Sequence, residues 1–322
     1  MTSDSSQILV FKGRHEERPS ASAVEHERAW SDVWLKFLSI FILMLGLVII
    51  AYPFVRQYVS GLEQNRLAQA SSRAVSNWPY PQAEVALKNA RAYNAALVQS
   101  GQPVMGEAVD PFRGKQSSAQ TESEKDTQYQ SLLNQGDGIM GSVFIPKISV
   151  DLPVYHGTSQ ESLASGAGHL YGTSLPVGGK STHTVITGHR GLVNALMFTR
   201  LDELKTGDPF YIKSMNRTIA YRVDRIKVIE PDDTGSLRIE PGVDRATLMT
   251  CTPYGVNTHR LLVSGVRAEM PVPVPYPKDA KKDSRFVVFV TLAFMVVFSL
   301  VTFFLLDNKK AIIAHHMRPV SK

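Results

Sequence analysis

Two long apolar runs constrain this chain more than any other feature of its sequence. Residues 37–54 and residues 286–306 contain no charged side chain. Each run is close to the ~20 residues that an α-helix needs to cross a bilayer. The sequence therefore predicts two transmembrane helices, over residues 34–55 and 286–306.

Each run has one alternative interpretation. The first resembles the apolar part of a cleavable signal peptide, but the segment "AYPFVRQYVS" that follows offers no convincing small-residue cleavage site. The alternative for the second is a buried helix, but the run has no polar face, which a helix packed in a soluble fold normally has. An uncleaved anchor and a second span are therefore the favoured interpretations.

Two spans place both termini on one side of the membrane and residues 56–285 on the other. Lys and Arg flank both runs on both sides, so the positive-inside rule does not orient the chain. Cysteine usage is more informative, because the chain has 1 Cys in 322 residues. An exported domain usually pairs or omits its thiols, so a lone Cys251 suits an exported domain in which that thiol has a function.

Composition excludes two broad classes of protein. A hydrophobic content of 43% is too high for a wholly disordered chain. The 35 basic and 29 acidic residues include no Lys/Arg block interleaved with aromatic residues, so we expect no nucleic-acid partner.

The regions outside the apolar runs differ in composition and in the secondary structure they favour. Polar residues without periodicity predict a disordered tail over 1–33, and a short tail over 307–322. Residues 56–100 favour helices, the second of which opens at Pro81 and ends at Gly101. Residues 101–136 are polar and turn-rich, so this long loop is either functional or disordered. A Pro-rich spacer over 271–285 leads to the second apolar run.

The region 137–270 is predicted to be mainly β. Short β-branched runs separated by Gly, Pro, Asn and Asp have the spacing of a barrel or sandwich. Neither a P-loop, a GxGxxG, an HExxH nor a paired-Cys zinc motif is present, which argues against nucleotide and zinc-protease chemistry. The acidic stretch "IEPDDTGSLRIEPGVD" lacks the regular ligand spacing of a calcium loop, so no cofactor is expected.

A thiol becomes a useful nucleophile when a base or a cation stands beside it. Five histidines lie in the β region: His156, His169, His183, His189 and His259. His189 is the best placed, because it ends the strand-like run "THTVITGH" and begins the Gly-bounded turn "GHRG", where loops present catalytic groups. A hydrogen-bonded structural histidine remains the alternative.

Strand geometry supplies a cation for the thiol. If "ATLMTCT" and "HRLLVSG" form an antiparallel hairpin in which Thr252 faces His259, then Cys251 faces Arg260 on the same side of the sheet. A register slip of one residue would separate the two side chains. The alternative is a surface Arg and a buried Cys that acts as a small hydrophobic residue.

The run "TLMTCTPYGVNTHRLLVSG" resembles the signature of class C, pilus-building sortases. The segments "GAGHLYGTSLPVGG", "VITGHRGL" and "LMFTRLDELKTGDPFYI" are similar to upstream segments of that family, so the resemblance covers about residues 139–268. It implies a closed eight-stranded β-barrel outside the membrane of a Gram-positive-type envelope, with both termini cytoplasmic. It also implies that Cys251 is the nucleophile, His189 the acid/base and Arg260 the residue that binds the oxyanion and substrate.

Class C sortases often carry an N-terminal lid with an Asp-Pro-aromatic motif. The long loop contains Asp110, Pro111 and Phe112. In a lid, the Asp would pair with Arg260 while the ring covers the thiol and excludes water. The alternative is an ordinary Asp-Pro turn.

The resemblance implies a transpeptidase. Such an enzyme cleaves an LPxTG-like sorting signal between Thr and Gly through a thioester and transfers it to a pilin Lys amine. The expected partners are therefore pilin subunits and the lipid bilayer. A housekeeping sortase acting on cell-wall precursor, a Cys hydrolase and a catalytically silent binding module with a sortase-like barrel remain alternatives.

Overall fold

A computed structural model gives the fold of residues 21–76, 78, 81–105, 121–192, 195–271, 287–288 and 290–302. In chain order, the α-helices are α1 Ala21–Ser76, α2 Gln82–Ser100, α3 Glu122–Lys125, α4 Thr127–Ser131 and α5 Gln160–Ser165. The strands are β1 Ile139–Ile145, β2 Val150–His156, β3 Ala167–His169, β4 Thr182–Thr187, β5 Pro209–Ser214, β6 Arg217–Ile229, β7 Asp244–Thr252 and β8 His259–Ala268.

The strands close into a barrel in the order β1-β2-β3-β4-β7-β8-β6-β5. The expected closed eight-stranded barrel is thereby confirmed. Two of its neighbouring pairs, β2–β3 and β4–β7, are parallel, and the others are antiparallel. Strand β7 lies between β4 and β8, so the ends of three strands that are far apart in sequence meet at one rim.

Helix α2 follows the sequence prediction closely. Pro81 precedes its first turn, and Gly101 ends it in the left-handed conformation with φ 69°. Leu87 and Ala90 are buried against the barrel core, and Asn94 exchanges two hydrogen bonds with the backbone of Leu175, at 2.7 and 3.1 Å. Burying a leucine side chain contributes about 2 kcal/mol, so the helix is held by apolar contact as well as by this amide pair.

The β region contains two strands that the sequence patterns did not separate. The run "GSVFIPKISVDLPVYHG" forms β1 and β2, divided by a 3-10 turn over Pro146–Ile148 and by Ser149 at φ 58°. Strand β3 has 3 residues, which is too short to produce a periodic signal.

The predicted loop 101–136 contains the helices α3 and α4. Helix α3 begins with a capping box in which the Thr121 hydroxyl accepts from the Glu124 N–H at 3.3 Å. In return, a Glu124 carboxylate oxygen accepts from the Thr121 N–H at 3.0 Å. This Thr-x-x-Glu pattern is a helix-start signal in the sequence itself.

Helix α1 begins at Ala21, so residues 21–33 of the predicted disordered tail are helical. Ala, Glu and Arg in this stretch have high helix propensity and extend a helix that the apolar run continues. Contacts divide the chain into two units, residues 1–51 and 52–322. In the first, apolar side chains such as those of Phe37 and Phe41 are exposed. In the second, α1 buries Ala68 and Val75.

Among the described residues, one helical segment, Phe37–Val75, is long and apolar enough to cross a membrane. The most apolar part of this segment has no buried residue, and an apolar helix surface of that kind matches a lipid environment better than an aqueous one. The second predicted span, 286–306, is described as helix only over 287–288 and 290–302, so a multi-pass arrangement is not shown.

His169 is buried in a polar cage beside α4. Its Nδ1 accepts from the Tyr129 hydroxyl at 2.9 Å, and its Nε2 donates to the Ser174 carbonyl oxygen at 2.9 Å. These partners satisfy a neutral imidazole, and burial lowers the pKa of His169 from 6.5 to about 4. Protonation would put a hydrogen on Nδ1, and this N–H would face the hydroxyl hydrogen that Tyr129 donates to Nδ1 in the neutral form.

We predict that His169 makes folding sensitive to acid. As pH falls from 6.5 toward 4, the unfolded histidine binds a proton while the folded one does not, so stability present above pH 6.5 is lost. Relative to His169→Gln, the free energy of unfolding of the full-length protein in detergent should fall by about 3 kcal/mol over this range. Urea unfolding at several pH values checks this, and parallel pH curves for the two proteins would contradict it.

Candidate active site

Cys251 and Arg260 face each other across the β7–β8 hairpin. The antiparallel register pairs Cys251 with Arg260 and Thr252 with His259, as the sequence predicts. Directly paired residues project to the same face of a sheet. The six-residue turn uses Gly255 at φ 76° and therefore relies on a residue that tolerates this conformation.

His189 lies just beyond the end of β4, beside β7. The parallel β4–β7 register runs to Thr187 opposite Met249, and the same register continued by two residues along both chains would place His189 level with Cys251. The ladder continues past the strand end, because the Gly188 N–H donates to the Met249 carbonyl oxygen at 3.1 Å.

Side-chain hydrogen bonds bracket the His189–Cys251 position on both sides. The Thr250 hydroxyl donates to the Gly188 carbonyl oxygen at 2.7 Å. One residue further along each chain, Arg190 Nη1 donates to the Thr252 hydroxyl at 3.2 Å. The histidine loop and the cysteine strand are thus linked immediately before and immediately after the two candidate catalytic residues.

The backbone around His189 is packed closely against Phe198. The Phe198 N–H donates to the His189 carbonyl oxygen at 3.0 Å, and Phe198 is fully buried. A Cβ added at Gly188 would lie 2.8 Å from the Phe198 ring, so only glycine fits this position without displacement. From α1, Gln57 Nε2 donates to the Leu192 carbonyl oxygen of the same loop at 3.2 Å.

Burial lowers the pKa of His189 below 6.5. At neutral pH an imidazole of this kind, considered by itself, is mostly uncharged and has a ring nitrogen able to accept a proton. With a thiol beside it, the two groups titrate as a coupled pair.

The remaining histidines of the β region have other roles. His169 is enclosed as described above, and His183 bonds to the Arg238 carbonyl oxygen at 2.9 Å and to the Thr247 hydroxyl at 2.7 Å. Both ring nitrogens of His156 face carbonyl oxygens at 2.7 and 2.9 Å. His259 lies at the rim and pairs with Glu230 at 3.1 Å.

Arg260 is 4% exposed, and Cys251 is 1% exposed. Arg260 Nη1 donates to the His259 carbonyl oxygen at 3.1 Å and to the Asn257 carbonyl oxygen at 3.4 Å. These bonds fix a guanidinium in low-dielectric surroundings, where it attracts a neighbouring negative charge more strongly than it would in water.

An apolar strip borders the site on the outer face of the sheet. Met249 and Leu262 pair directly and lie two residues from Cys251 and Arg260 respectively, so they share their face. They belong to a buried cluster with Leu170, Val185, Ile229 and Leu237. Met105 packs against this cluster.

The predicted lid residues Asp110, Pro111 and Phe112 lie outside the described residues. The chain that leads into this loop packs beside the site. Met105 contacts the buried apolar cluster. The Val104 carbonyl group lies so close to Gly172 that a Cβ at position 172 would not fit. On the far side, Tyr129 of α4 is fully buried, and its hydroxyl accepts from the Gly157 N–H at 3.0 Å.

Sequence reasoning missed Arg190 and its partners. Arg190 was visible only as the residue after His189 in "GHRG", and Asp202 and Tyr254 lie far from it in the chain. Among the described residues, no group of three or more His, Cys, Asp or Glu side chains forms a potential metal site. The geometry is suited to nucleophilic acyl transfer: a thiol, an imidazole able to accept its proton, and a buried cation for a developing oxyanion.

Comparison with known families gives a match at the barrel. The sequence model of the Sortase domain matches residues 143–268. Among curated proteins, Sortase D of Bacillus subtilis (strain 168) is 29% identical over 130 residues, which cover 39% of this chain and 63% of that protein. The matched region thus spans somewhat less than two thirds of that relative.

Solved structures match over a longer stretch. Sortase C of Streptococcus pneumoniae is 40% identical, with a TM-score of 0.57, and the alignment covers 65% of this chain and 100% of that one. A pilus-related sortase C of Group B Streptococcus is 43% identical, with a TM-score of 0.54, and the alignment covers 61% of this chain and 94% of that one.

We predict that Gly188→Ala disturbs the site through Phe198. Because the added methyl group must displace a buried ring, we expect a loss of about 1–3 kcal/mol in unfolding free energy and slower alkylation of Cys251. Gly235→Ala is the matched control, because its Cβ would meet only the flexible Asp233 carboxylate, at 3.2 Å. Equal alkylation rates in the two folded variants would show that the close packing at Gly188 does not matter for the thiol.

Proposed function

The chain belongs to the sortase family, and we propose that it is a membrane-anchored cysteine transpeptidase that joins pilin subunits covalently. The observation that carries this proposal is the position of Cys251: it is buried at the end of β7, with the His189 loop on one side and Arg260 on the other. The substrate is an LPxTG-like sorting signal, cleaved between Thr and Gly.

In the first half-reaction, the thiol proton of Cys251 passes to His189, and the sulfur attacks the carbonyl carbon of the substrate Thr. The tetrahedral intermediate collapses, the C–N bond to Gly breaks, and the leaving amine takes a proton from His189. The product is a thioester between Cys251 and the new Thr carboxyl end. In the second half-reaction, a Lys ε-amine attacks the thioester, gives its proton to His189 and releases the Cys251 sulfur.

Arg260 stabilises the oxyanion that forms on the attacked carbonyl. Its backbone bonds hold the guanidinium in place before the substrate arrives, so little reorganisation is needed in the transition state. Because Arg260 directly opposes Cys251 on the same face, the cation is near the carbonyl that the sulfur attacks. The planar guanidinium can also bind the substrate backbone through two N–H groups.

Pilin is the proposed substrate because of the relatives. The solved structures at about 40% identity are sortase C enzymes; one is described in terms of pilin substrate specificity and another as pilus-related. The apolar cluster containing Met249 and Leu262 is buried under Met105, so Leu and Pro of an LPxTG-like signal would reach it only if Met105 moved aside.

Helix α1 supports membrane anchoring. Its segment Phe37–Val75 has the length and composition of a membrane span. We propose that the second apolar run, 286–306, also spans the bilayer, that both termini are cytoplasmic and that the barrel is extracellular, where pilin subunits are assembled.

We further propose that Asp110, Pro111 and Phe112 form a lid over the thiol. Cys251 is 1% exposed, so a peptide carbonyl requires some displacement to reach it. The docked position of Met105 on the apolar strip brings the start of the loop to the site, which supports a cover at this position. A thioester shielded from water avoids hydrolysis until the acceptor amine binds.

Incubation of the full-length protein in detergent with purified pilin tests the function. Wild type should yield a ladder of covalent polymers on a denaturing gel, with a Thr–Lys isopeptide bond detected by mass spectrometry. A peptidoglycan-like amine is the competing acceptor. Preferred transfer to that amine would assign the chain to cell-wall attachment, and release of free acid alone would assign it to hydrolysis.

We predict that Cys251→Ala abolishes polymerisation while the barrel remains folded. The substitution removes one sulfur from a buried site and should cost about 1 kcal/mol, so loss of activity will not reflect unfolding. Persistent polymer formation by this variant would refute the assignment of the nucleophile.

We predict that Arg260→Lys slows thioester formation about 100-fold, because lysine keeps the charge but loses the fixed planar donor. The matched control is Arg267→Lys on the same strand, whose side chain is 49% exposed. A similar rate in both variants would show that Arg260 does not bind the oxyanion.

We predict that the double substitution Asp110→Ala and Phe112→Ala raises the alkylation rate of Cys251 about tenfold, because removing the cover increases the fraction of molecules with an accessible thiol. Lys115→Ala in the same loop is the control. An unchanged rate in the double variant would eliminate the lid.

A further inference from the structure

We propose that Arg190 is a positioning residue that holds the imidazole of His189 opposite the sulfur of Cys251. The inference deepens the proposed transpeptidase activity and rests on it. Three contacts made by one buried guanidinium carry it: one to the strand of the nucleophile, one to the turn after that strand and one to a carboxylate beyond the histidine loop.

The first contact reaches the cysteine strand. Arg190 Nη1 donates to the hydroxyl of Thr252 at 3.2 Å. Arg190 follows His189 and Thr252 follows Cys251, so this bond joins the two neighbours of the candidate catalytic pair. Together with the bond from Thr250 to Gly188 at 2.7 Å, it prevents the two chains from sliding relative to each other.

The second and third contacts fix the guanidinium itself. Arg190 Nη2 donates to a carboxylate oxygen of Asp202 in a short ion pair. The guanidinium carbon also lies 5.8 Å from the centre of the Tyr254 ring, within the range of a cation–π interaction. Tyr254 belongs to the turn that follows Cys251, so Arg190 joins the histidine loop both to Thr252 and to the turn after it.

Burial of the Arg190 side chain strengthens its electrostatic contacts. The Arg190 side chain is 6% exposed, whereas Asp202 is 51% exposed. A buried cation tolerates little displacement from its partners, because losing them would leave it unpaired in low dielectric. A Cβ added at Gly191 would lie 3.5 Å from the Tyr254 ring, so the backbone on the far side of Arg190 is also close to this turn.

This arrangement acts on the reaction through His189. The imidazole is carried by a loop beyond the end of β4, one residue past the Gly188 N–H that still donates to the Met249 carbonyl oxygen. Displacing a catalytic group by about 1 Å can cost about 100-fold in rate. Lysine provides the charge of Arg190 but not the planar fork that contacts Thr252 and Asp202 together.

The test compares Arg190→Met and Arg190→Lys with wild type, all as full-length protein in detergent. Thioester formation with an LPxTG peptide is followed by intact-mass spectrometry over a range of peptide concentrations. We expect Arg190→Met to lower the maximal rate about 100-fold, with the half-saturating peptide concentration changed less than about twofold. We expect Arg190→Lys to lower it about tenfold.

The matched control is Arg245→Met. Arg245 is also a buried arginine of this barrel, paired with Asp224 at 2.7 and 3.1 Å, but it lies at the opposite end of β7. Its substitution should lower stability and leave the rate per folded molecule within about twofold of wild type. Equal rate losses in Arg190→Met and Arg245→Met, each corrected for folded fraction, would overturn the positioning role.

A second readout does not depend on the substrate. The pH dependence of Cys251 alkylation by iodoacetamide reports how the neighbouring imidazole and cation favour the thiolate. In Arg190→Met the profile should shift to higher pH by about half a unit or more, and in Tyr254→Phe, which keeps the ring, it should not shift. An unshifted profile in Arg190→Met would contradict the inference.

The two readouts separate failure of the inference from failure of the proposed function. If wild-type protein forms no thioester, the transpeptidase proposal fails, and the alkylation profiles alone decide whether Arg190 positions His189. If wild type forms the thioester and Arg190→Met does so at the same rate, the function stands and the positioning role is wrong.

Discussion

The site depends on strand β7 being hydrogen-bonded along both of its edges. On one edge the parallel register with β4 brings the His189 loop opposite Cys251, and on the other the antiparallel register with β8 brings Arg260 opposite the same residue. A slip of one residue on either side would turn a catalytic side chain to the other face of the sheet. The closed barrel resists such slips, because every strand is paired on both sides and none is free to shift alone.

Burial gives these three side chains their chemical properties. It lowers the pKa of His189, which suits the proposed role as proton acceptor, and it would strengthen the attraction between the Arg260 guanidinium and an oxyanion in the proposed reaction. Burial also restricts access to the sulfur, which is consistent with the proposed lid. The same low dielectric makes Arg190 an effective link between the two chain segments that carry the thiol and the imidazole.

The sequence predicted those parts of the fold that local patterns specify. Short apolar runs and turn residues predicted the β7–β8 hairpin, the register supposed for it is the one observed, and Pro81 and Gly101 marked α2. Strand β3 has 3 residues and no periodicity, and α3 lies in a polar stretch that composition alone marks as loop. The contacts of Arg190 with Asp202 and Tyr254 were not predictable, because they depend on how three distant segments pack. The closed barrel and the individual catalytic roles came from the family resemblance.

A disulfide test measures the central geometry directly. Cys251 is the single cysteine of the chain, so His189→Cys creates a protein with two thiols. Residues directly opposite each other on neighbouring strands have Cα atoms close enough for a disulfide, about 4.4–6.8 Å apart, and the β4–β7 register continued by two residues would place His189 in that relation to Cys251. Under mild oxidation we predict an intramolecular disulfide in His189→Cys, detected as a loss of about 2 Da and of alkylation, and none in His183→Cys at the other end of β4. Failure to form it in His189→Cys, or efficient formation in His183→Cys, would contradict the account.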